Sequence, residues 1–158
     1  MALSDSVMLR GVHSLALDAK GRIAVPSRYR SVLDAAAENH MVITIDTESK
    51  CLLIYPLPEW EIVQEKISAL SSFNKAARRL QRLLLGYATD VDIDSAGRLL
   101  ISGPLREHAE LDKKVVLLGQ GNKFELWSES LWQQTRDAYI AEAGNEELMT
   151  EELEQISL

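Results

Sequence analysis

Leu17-Asp18-Ala19-Lys20-Gly21-Arg22-Ile23-Ala24-Val25 recurs as Ile93-Asp94-Ser95-Ala96-Gly97-Arg98-Leu99-Leu100-Ile101, shifted by 76 residues without a gap. In each copy Asp stands at position i and Gly at i+3 of a tight turn, where glycine tolerates the left-handed backbone. The alternation that follows puts Ile23 and Val25 on one face of a strand and Arg22 and Ala24 on the other. Each copy therefore reads as a hairpin. The repeat extends outward: Arg30 and Arg106 keep the shift of 76, Val42-Ile43-Thr44-Ile45 answers Val115-Val116-Leu117-Leu118 at 73, and Leu52, Ile54, Tyr55 and Trp60 answer Phe124, Leu126, Trp127 and Trp132 at 72. Shortened loops between shared elements give such a drifting offset.

The order of elements follows within each half. Pro26 ends the first hairpin, since it cannot donate to a ladder, and it suits the start of a helix over 27–37. Strands are expected near 41–46 and 51–55, then a helix near 59–70 after Pro56 and Pro58. The second half repeats this with a turn at 94–97, a helix at 103–110, strands at 114–118 and 123–127, and a helix at 128–142. Between the halves, residues 75–85 read as a linker helix, with Ser72 or Asn74 as N-cap and Gly86 at the C-terminal stop. Its bases, Lys75, Arg78, Arg79 and Arg82, read as a solvated face opposite Leu80, Leu83 and Leu84, or as a surface for a polyanion. Two such halves can share one core, each supplying the apolar face that the other lacks.

Charge adds a second constraint. The 158 residues hold 17 bases and 24 acids, a net of −7, which counts against a polyanion partner. Yet residues 1–136 carry all 17 bases and 17 of the acids, and the other seven acids lie in 137–158. Residues 1–30, around the first hairpin, carry five bases (Arg10, Lys20, Arg22, Arg28, Arg30) against two acids (Asp5, Asp18). The acidic tail spaces Leu148, Met149, Leu153 and Ile156 for one helix face, which reads either as a frayed solvated end or as a docking helix. The longest apolar run, Cys51 to Tyr55, is far too short to span a bilayer, and the N-terminus shows no secretory pattern. One cysteine, Cys51, suits a reducing compartment and reads as a small core residue rather than a nucleophile.

Asp18-Ala-Lys20-Gly21-Arg22-Ile-Ala-Val-Pro26-Ser-Arg28-Tyr29-Arg30 resembles the signature of the MraZ family, bacterial transcriptional regulators related to the AbrB/SpoVT swapped-hairpin DNA-binding proteins. Cys51-Leu-Leu-Ile-Tyr-Pro-Leu-Pro-Glu-Trp60, Arg79-Leu-Gln-Arg-Leu-Leu-Leu-Gly86 and Asn122-Lys-Phe-Glu-Leu-Trp127 extend the resemblance over nearly the whole chain. It implies a β-rich α+β fold. Tandem swapped-hairpin units would form a pseudo-two-fold small β-barrel with flanking helices. The implied division is a DNA-reading repeat at 8–70, a linker helix at 71–86, a structural repeat at 87–142 and an acidic tail at 143–158. The implied function is sequence-specific binding of double-stranded DNA, at direct repeats upstream of the protein's own cell-division and cell-wall operon. A ring of identical subunits and a place in the cytoplasm on the nucleoid go with it. The contrasting reading is an assembly or partner-docking module that binds no DNA.

The resemblance places DNA contact on the basic turn Lys20-Gly21-Arg22. Arginine offers bidentate contacts to phosphate or guanine, lysine a compact charge, and Gly21 lets backbone approach a surface. Arg22 could instead pair with Asp18 across the turn. Arg28 is a secondary DNA candidate, and Arg10 and Arg30 are weaker ones; Arg30, duplicated as Arg106, has the stronger claim to a structural role. In the second copy Ala96 replaces Lys20, Ser102 replaces Pro26, and Asp90, Asp92 and Asp94 crowd the turn, so the second half is expected to complete the fold and Arg98 to be structural. His40 and His108 fall after the equivalent helices, which looks like a shared loop feature. Gly119-Gln-Gly121 reads as a hairpin turn, not a nucleotide loop. No spacing of His, Cys or acid spells a metal site, and no nucleophile, cofactor or small-molecule motif appears, so neither an enzyme nor a cofactor is expected.

Overall fold

A computed structural model describes residues 8–158. Its elements run β1 (Leu9–Ala16), β2 (Arg22–Ala24), α1 (Ser27–Ala37), β3 (His40–Ile45), β4 (Leu52–Pro56), α2 (Leu57–Ser68), α3 (Lys75–Leu84), β5 (Thr89–Asp92), β6 (Arg98–Leu100), α4 (Gly103–His108), β7 (Lys114–Gly121), β8 (Phe124–Ser128), α5 (Glu129–Ala141) and α6 (Glu151–Glu154). The fold is α+β and rich in antiparallel sheet. Six strands form one sheet in the order β1-β7-β8-β4-β3-β5, and β2 pairs with β6 as a separate ribbon.

Neither half closes its own sheet. β1 pairs with β7, and β5 pairs with β3, so each half lends its first strand to the other. Superimposing the strand order on its reverse exchanges β1 with β5, β7 with β3 and β8 with β4, a pseudo-two-fold about the β4–β8 pair. The apolar side chains of β2 and β6, Ile23 and Leu99, lie in one buried cluster with Met41, Ile43, Leu117 and Leu126 of the large sheet. The ribbon thus closes one face of the sheet. The opposite face carries two smaller clusters, Val42-Leu53-Tyr55-Trp60 and Cys51-Val116-Leu118-Trp127.

That partition corrects the alignment of the inner strands. Val42 shares a cluster type with Val116, not Val115, and pairs with Tyr55 as Val116 pairs with Trp127. The shift there is 74 (42 to 116), one more than the 73 read from sequence. A one-residue slip turns every side chain of a strand to the other face, so only 74 keeps inward residues inward. The aromatic matches hold at 72: Tyr55–Trp60 and Trp127–Trp132 each meet at an angle with ring centroids 5.5 Å apart.

Local chemistry accounts for the helix ends. Asn74 caps α3, its side-chain oxygen accepting from the Ala76 and Ala77 N–H groups. Gly86 does not supply a left-handed cap, because α3 ends on Leu85 in right-handed geometry. What Gly86 provides is room, since a Cβ there would overlap the Arg82 carbonyl. Two further expectations shift. β7 runs on through Gly119, which lies hard against the β1 backbone at Arg10, and the turn falls on Gly121 (φ +82) to Lys123. His40 opens β3 and His108 closes α4, so they are not equivalent. Residues Glu38 and Glu110, both left-handed, mark the equivalent helix exits instead.

Candidate nucleic-acid interface

The first turn is held by its own aspartate. One Asp18 carboxylate oxygen accepts from the backbone N–H groups of Lys20 and Arg22, both at 2.9 Å. The other accepts from Arg22 Nε at 2.9 Å. Backbone bonds from Gly21 N to Asp18 O and from Asp18 N to Arg22 O close the loop. These hydrogen bonds, that from the Arg22 amide foremost, hold the Asp18 carboxyl below its ordinary value. Arg22 therefore does pair with Asp18. The pairing occupies Nε and leaves the terminal N–H groups of the guanidinium to other partners. Lys20 is exposed at the tip.

Gly21 is buried, with φ +83. A Cβ there would meet the Arg106 guanidinium at 2.9 Å and the Ile101 carbonyl at 3.1 Å. The close approach that glycine permits is thus toward the second half of the chain. Arg106 Nε donates to the Ile101 carbonyl at 3.0 Å, and Ile101 N donates to the Gly21 carbonyl at 2.8 Å. The second turn mirrors this. Arg30 Nε donates to Val25 O at 3.2 Å, its guanidinium covers Gly97, and Val25 N donates to Gly97 O at 2.9 Å. Arg30 and Arg106 are reciprocal clamps, each half's arginine lying on the other half's turn.

The second turn keeps the scaffold and loses the basic tip. Asp94 accepts from the Ala96 and Arg98 N–H groups at 2.9 Å, as Asp18 does, but no Arg98–Asp94 side-chain pair forms among the described residues. Beside the first turn, a depression brings Asp18, Arg106, Asp112 and Lys113 together. With Lys20 and Arg22 that makes four bases against two acids. Beside the second, Arg30, Asp34 and Asp94 line the equivalent hollow, and with Arg98 there are two bases against two acids. Arg106 and Lys113 were missed as neighbours of the first turn. The repeat of Arg30 at Arg106 was the available signal, but only the crossed strand pairing shows where each side chain goes.

The remaining basic candidates lie apart. Arg28 is exposed on α1, its guanidinium 5.0 Å from the centre of the Tyr29 ring. Tyr29 anchors that helix by donating its hydroxyl to the Arg10 carbonyl. Arg10 sits opposite Gln120, at the end of β1 remote from the turn. Two acids near the second turn are engaged: Asp92 pairs with His40 across β3 and β5, and Asp94 closes its turn. Asp92, by hydrogen bond and by charge, raises the His40 pKa above its ordinary value.

Among the described residues, one cluster could offer ligands to a metal. Asp46, Cys51 and Glu125 bring their ligand atoms within 4.8 Å of one another. Cys51 is fully buried, and burial first, then the neighbouring carboxylates, push its thiol well up. A protonated thiol is neither a ready ligand nor a nucleophile. No helix among the described residues is long and apolar enough to cross a membrane.

Comparison with known proteins finds the same two-part division of the chain. The family model described as "MraZ protein, putative antitoxin-like" matches twice, over residues 8–83 and 84–155. Proteins named transcriptional regulator MraZ from Pectobacterium carotovorum (strain PC1), Yersinia pseudotuberculosis (strain IP 31758) and Serratia proteamaculans (strain 568) are each 55% identical over 152 residues, covering 96% of this chain and 100% of their own. With both halves matched and the full length of such relatives aligned, this chain belongs to the MraZ family, whose members named here are transcriptional regulators.

Proposed function

We propose that the protein is a sequence-specific DNA-binding transcription regulator. It reads direct repeats upstream of its own cell-division and cell-wall operon through the turn Lys20-Gly21-Arg22, and works as a ring of identical subunits. One observation carries the assignment of the turn. Two turns share one backbone scaffold, yet only the first bears Lys20 and gathers Arg106 and Lys113 beside it. An anion is favoured there and not at its twin.

Each residue has a distinct part. Lys20 and the terminal N–H groups of Arg22 touch phosphate or base edges. Gly21 and Asp18 shape the turn, and Arg106 props it from the other half. Arg28 adds a weaker contact from α1. The second hairpin exchanges with the first as a swapped unit and completes the fold. Several subunits on repeated boxes add avidity, so one hairpin need not bind tightly.

A gel shift of the protein's own upstream region, with competitor DNA, tests this. About three phosphate contacts per subunit give a log–log salt slope of roughly −2.7 per engaged subunit. Arg22→Ala should abolish the specific shift without changing the size of the assembly, while Arg98→Ala should leave it in place. Full affinity in Arg22→Ala sinks the assignment of the turn. No shift by the wild-type protein leaves the assembly-module reading.

A further inference from the structure

The duplication extends beyond the hairpins to α3 and the tail. Carried forward by the shift of 72 that relates Trp60 to Trp132, α3 (residues 75–84) falls on residues 147–156. The two stretches have opposite sign. Residues 75–84 hold four bases (Lys75, Arg78, Arg79, Arg82) and no acid; residues 147–156 hold four acids (Glu147, Glu151, Glu152, Glu154) and no base. All eight are exposed, and none is in an ion pair among the described residues.

Both stretches also expose apolar side chains. Phe73, just before α3, is 97% exposed, and Leu83 on α3 is partly so. In the tail, Leu148, Met149 and Leu153 line one shallow groove with Tyr139, and all four are exposed. A charged rim around exposed apolar side chains is the anatomy of an association surface. The two faces belong to different ends of the fold. α3 packs beside β3 and α2, whereas the tail continues from α5, which packs on β7 and β8.

We infer that the acidic tail of one subunit docks on the basic α3 face of a second copy of the chain. Because the two faces lie at different ends of the fold, the contact runs head-to-tail when a subunit engages a different neighbour through each face, and a head-to-tail contact closes into a ring when its rotation does. The tail is then an assembly element rather than a solvated end. This rests on the homo-oligomeric reading above and names its interface. Complementary charge sets partner and register, and predicts that assembly weakens as salt rises.

Charge reversal in the full-length protein tests the inference by sedimentation velocity at matched protein concentrations. Arg78→Glu/Arg79→Glu/Arg82→Glu, and separately Glu147→Arg/Glu151→Arg/Glu154→Arg, should each raise the half-dissociation concentration by about tenfold or more. The six changes combined should restore assembly. Circular dichroism confirms that each variant is folded. A monomeric wild-type protein overturns both this inference and the ring reading. A wild-type assembly that folded single-sign variants leave unchanged overturns this interface alone. Loss in both single-sign sets with no rescue by the combined set also overturns it, as does a triple α3 variant that keeps its assembly and loses only DNA affinity.

Discussion

Alanine at the two turn glycines should destabilise the protein similarly and separate cleanly on DNA. Gly21 sits at φ +83 and Gly97 at φ +76, a region that costs an L-residue about 1–2 kcal/mol. At Gly21 the new methyl also meets the Arg106 guanidinium at 2.9 Å, so Arg106 must swing away and lose its bond to the Ile101 carbonyl. At Gly97 it displaces Arg30 from Gly97 and from the Val25 carbonyl. One such bond contributes about 1 kcal/mol. Each variant should therefore lose about 2–3 kcal/mol. For a chain of this length that is roughly 4–12 °C in Tm, measured by circular dichroism at fixed protein concentration. Gel shifts at one salt concentration should then diverge. Gly21→Ala moves Lys20 and Arg22 and should lose about tenfold or more in affinity, an energy of about 1.4 kcal/mol. Gly97→Ala should stay close to wild type. Equal DNA losses at equal Tm would refute the placing of DNA contact on the first turn.

Three other outcomes follow from the hydrogen bonds. The Asp18 carboxyl is held below its ordinary value, so its contribution to the turn is present above the unfolded-state pKa of about 4 and fades as pH falls through the lower folded-state value; the Lys20 and Arg22 amide resonances should titrate with a midpoint below about 4, and a midpoint at the free-Asp value argues against the carboxylate cap. His40 behaves oppositely: its raised pKa makes the pair with Asp92 fully stabilising below about pH 6.5 and lost as pH rises through the folded-state value. NMR titration of the His40 ring should show the midpoint fall in Asp92→Asn. Asn74→Ala removes the α3 cap and should cost about 1 kcal/mol, or roughly 2–4 °C, in thermal melts.

Much of this was legible in residues 17–25 and 93–101, because a turn that needs Asp at one position and Gly at another leaves a spaced signature. The helices were legible for the same reason: Pro26, Asn74 and the helical spacing of apolar residues are local chemistry. The register of the inner strands was not. Val42-Ile43-Thr44-Ile45 and Val115-Val116-Leu117-Leu118 are buried on both faces, so they lack the alternation that distinguishes a shift of 73 from 74. Nor could sequence say that β1 pairs with β7 or that Arg106 rests on Gly21. Those are long-range facts, and Arg106 is 85 residues from Gly21 (21 to 106). The basic tip itself was readable as Lys20 and Arg22, while its supporting bases came from the other half.

The crossed pairing of β1 with β7 and β5 with β3 means that the duplication is not modular. A chain cut within the linker yields two pieces, each with a sheet edge that the other completes in the intact chain. Either piece could recover that pairing by self-association, with one copy standing in for the missing half. The covalent linker replaces that concentration-dependent event with an intramolecular one. It also lets the two hairpins diverge in charge, as two identical copies cannot. A subunit built this way has a direction, one turn basic and the other not, and an assembly of such subunits inherits a polarity that could be matched to repeats of a single orientation.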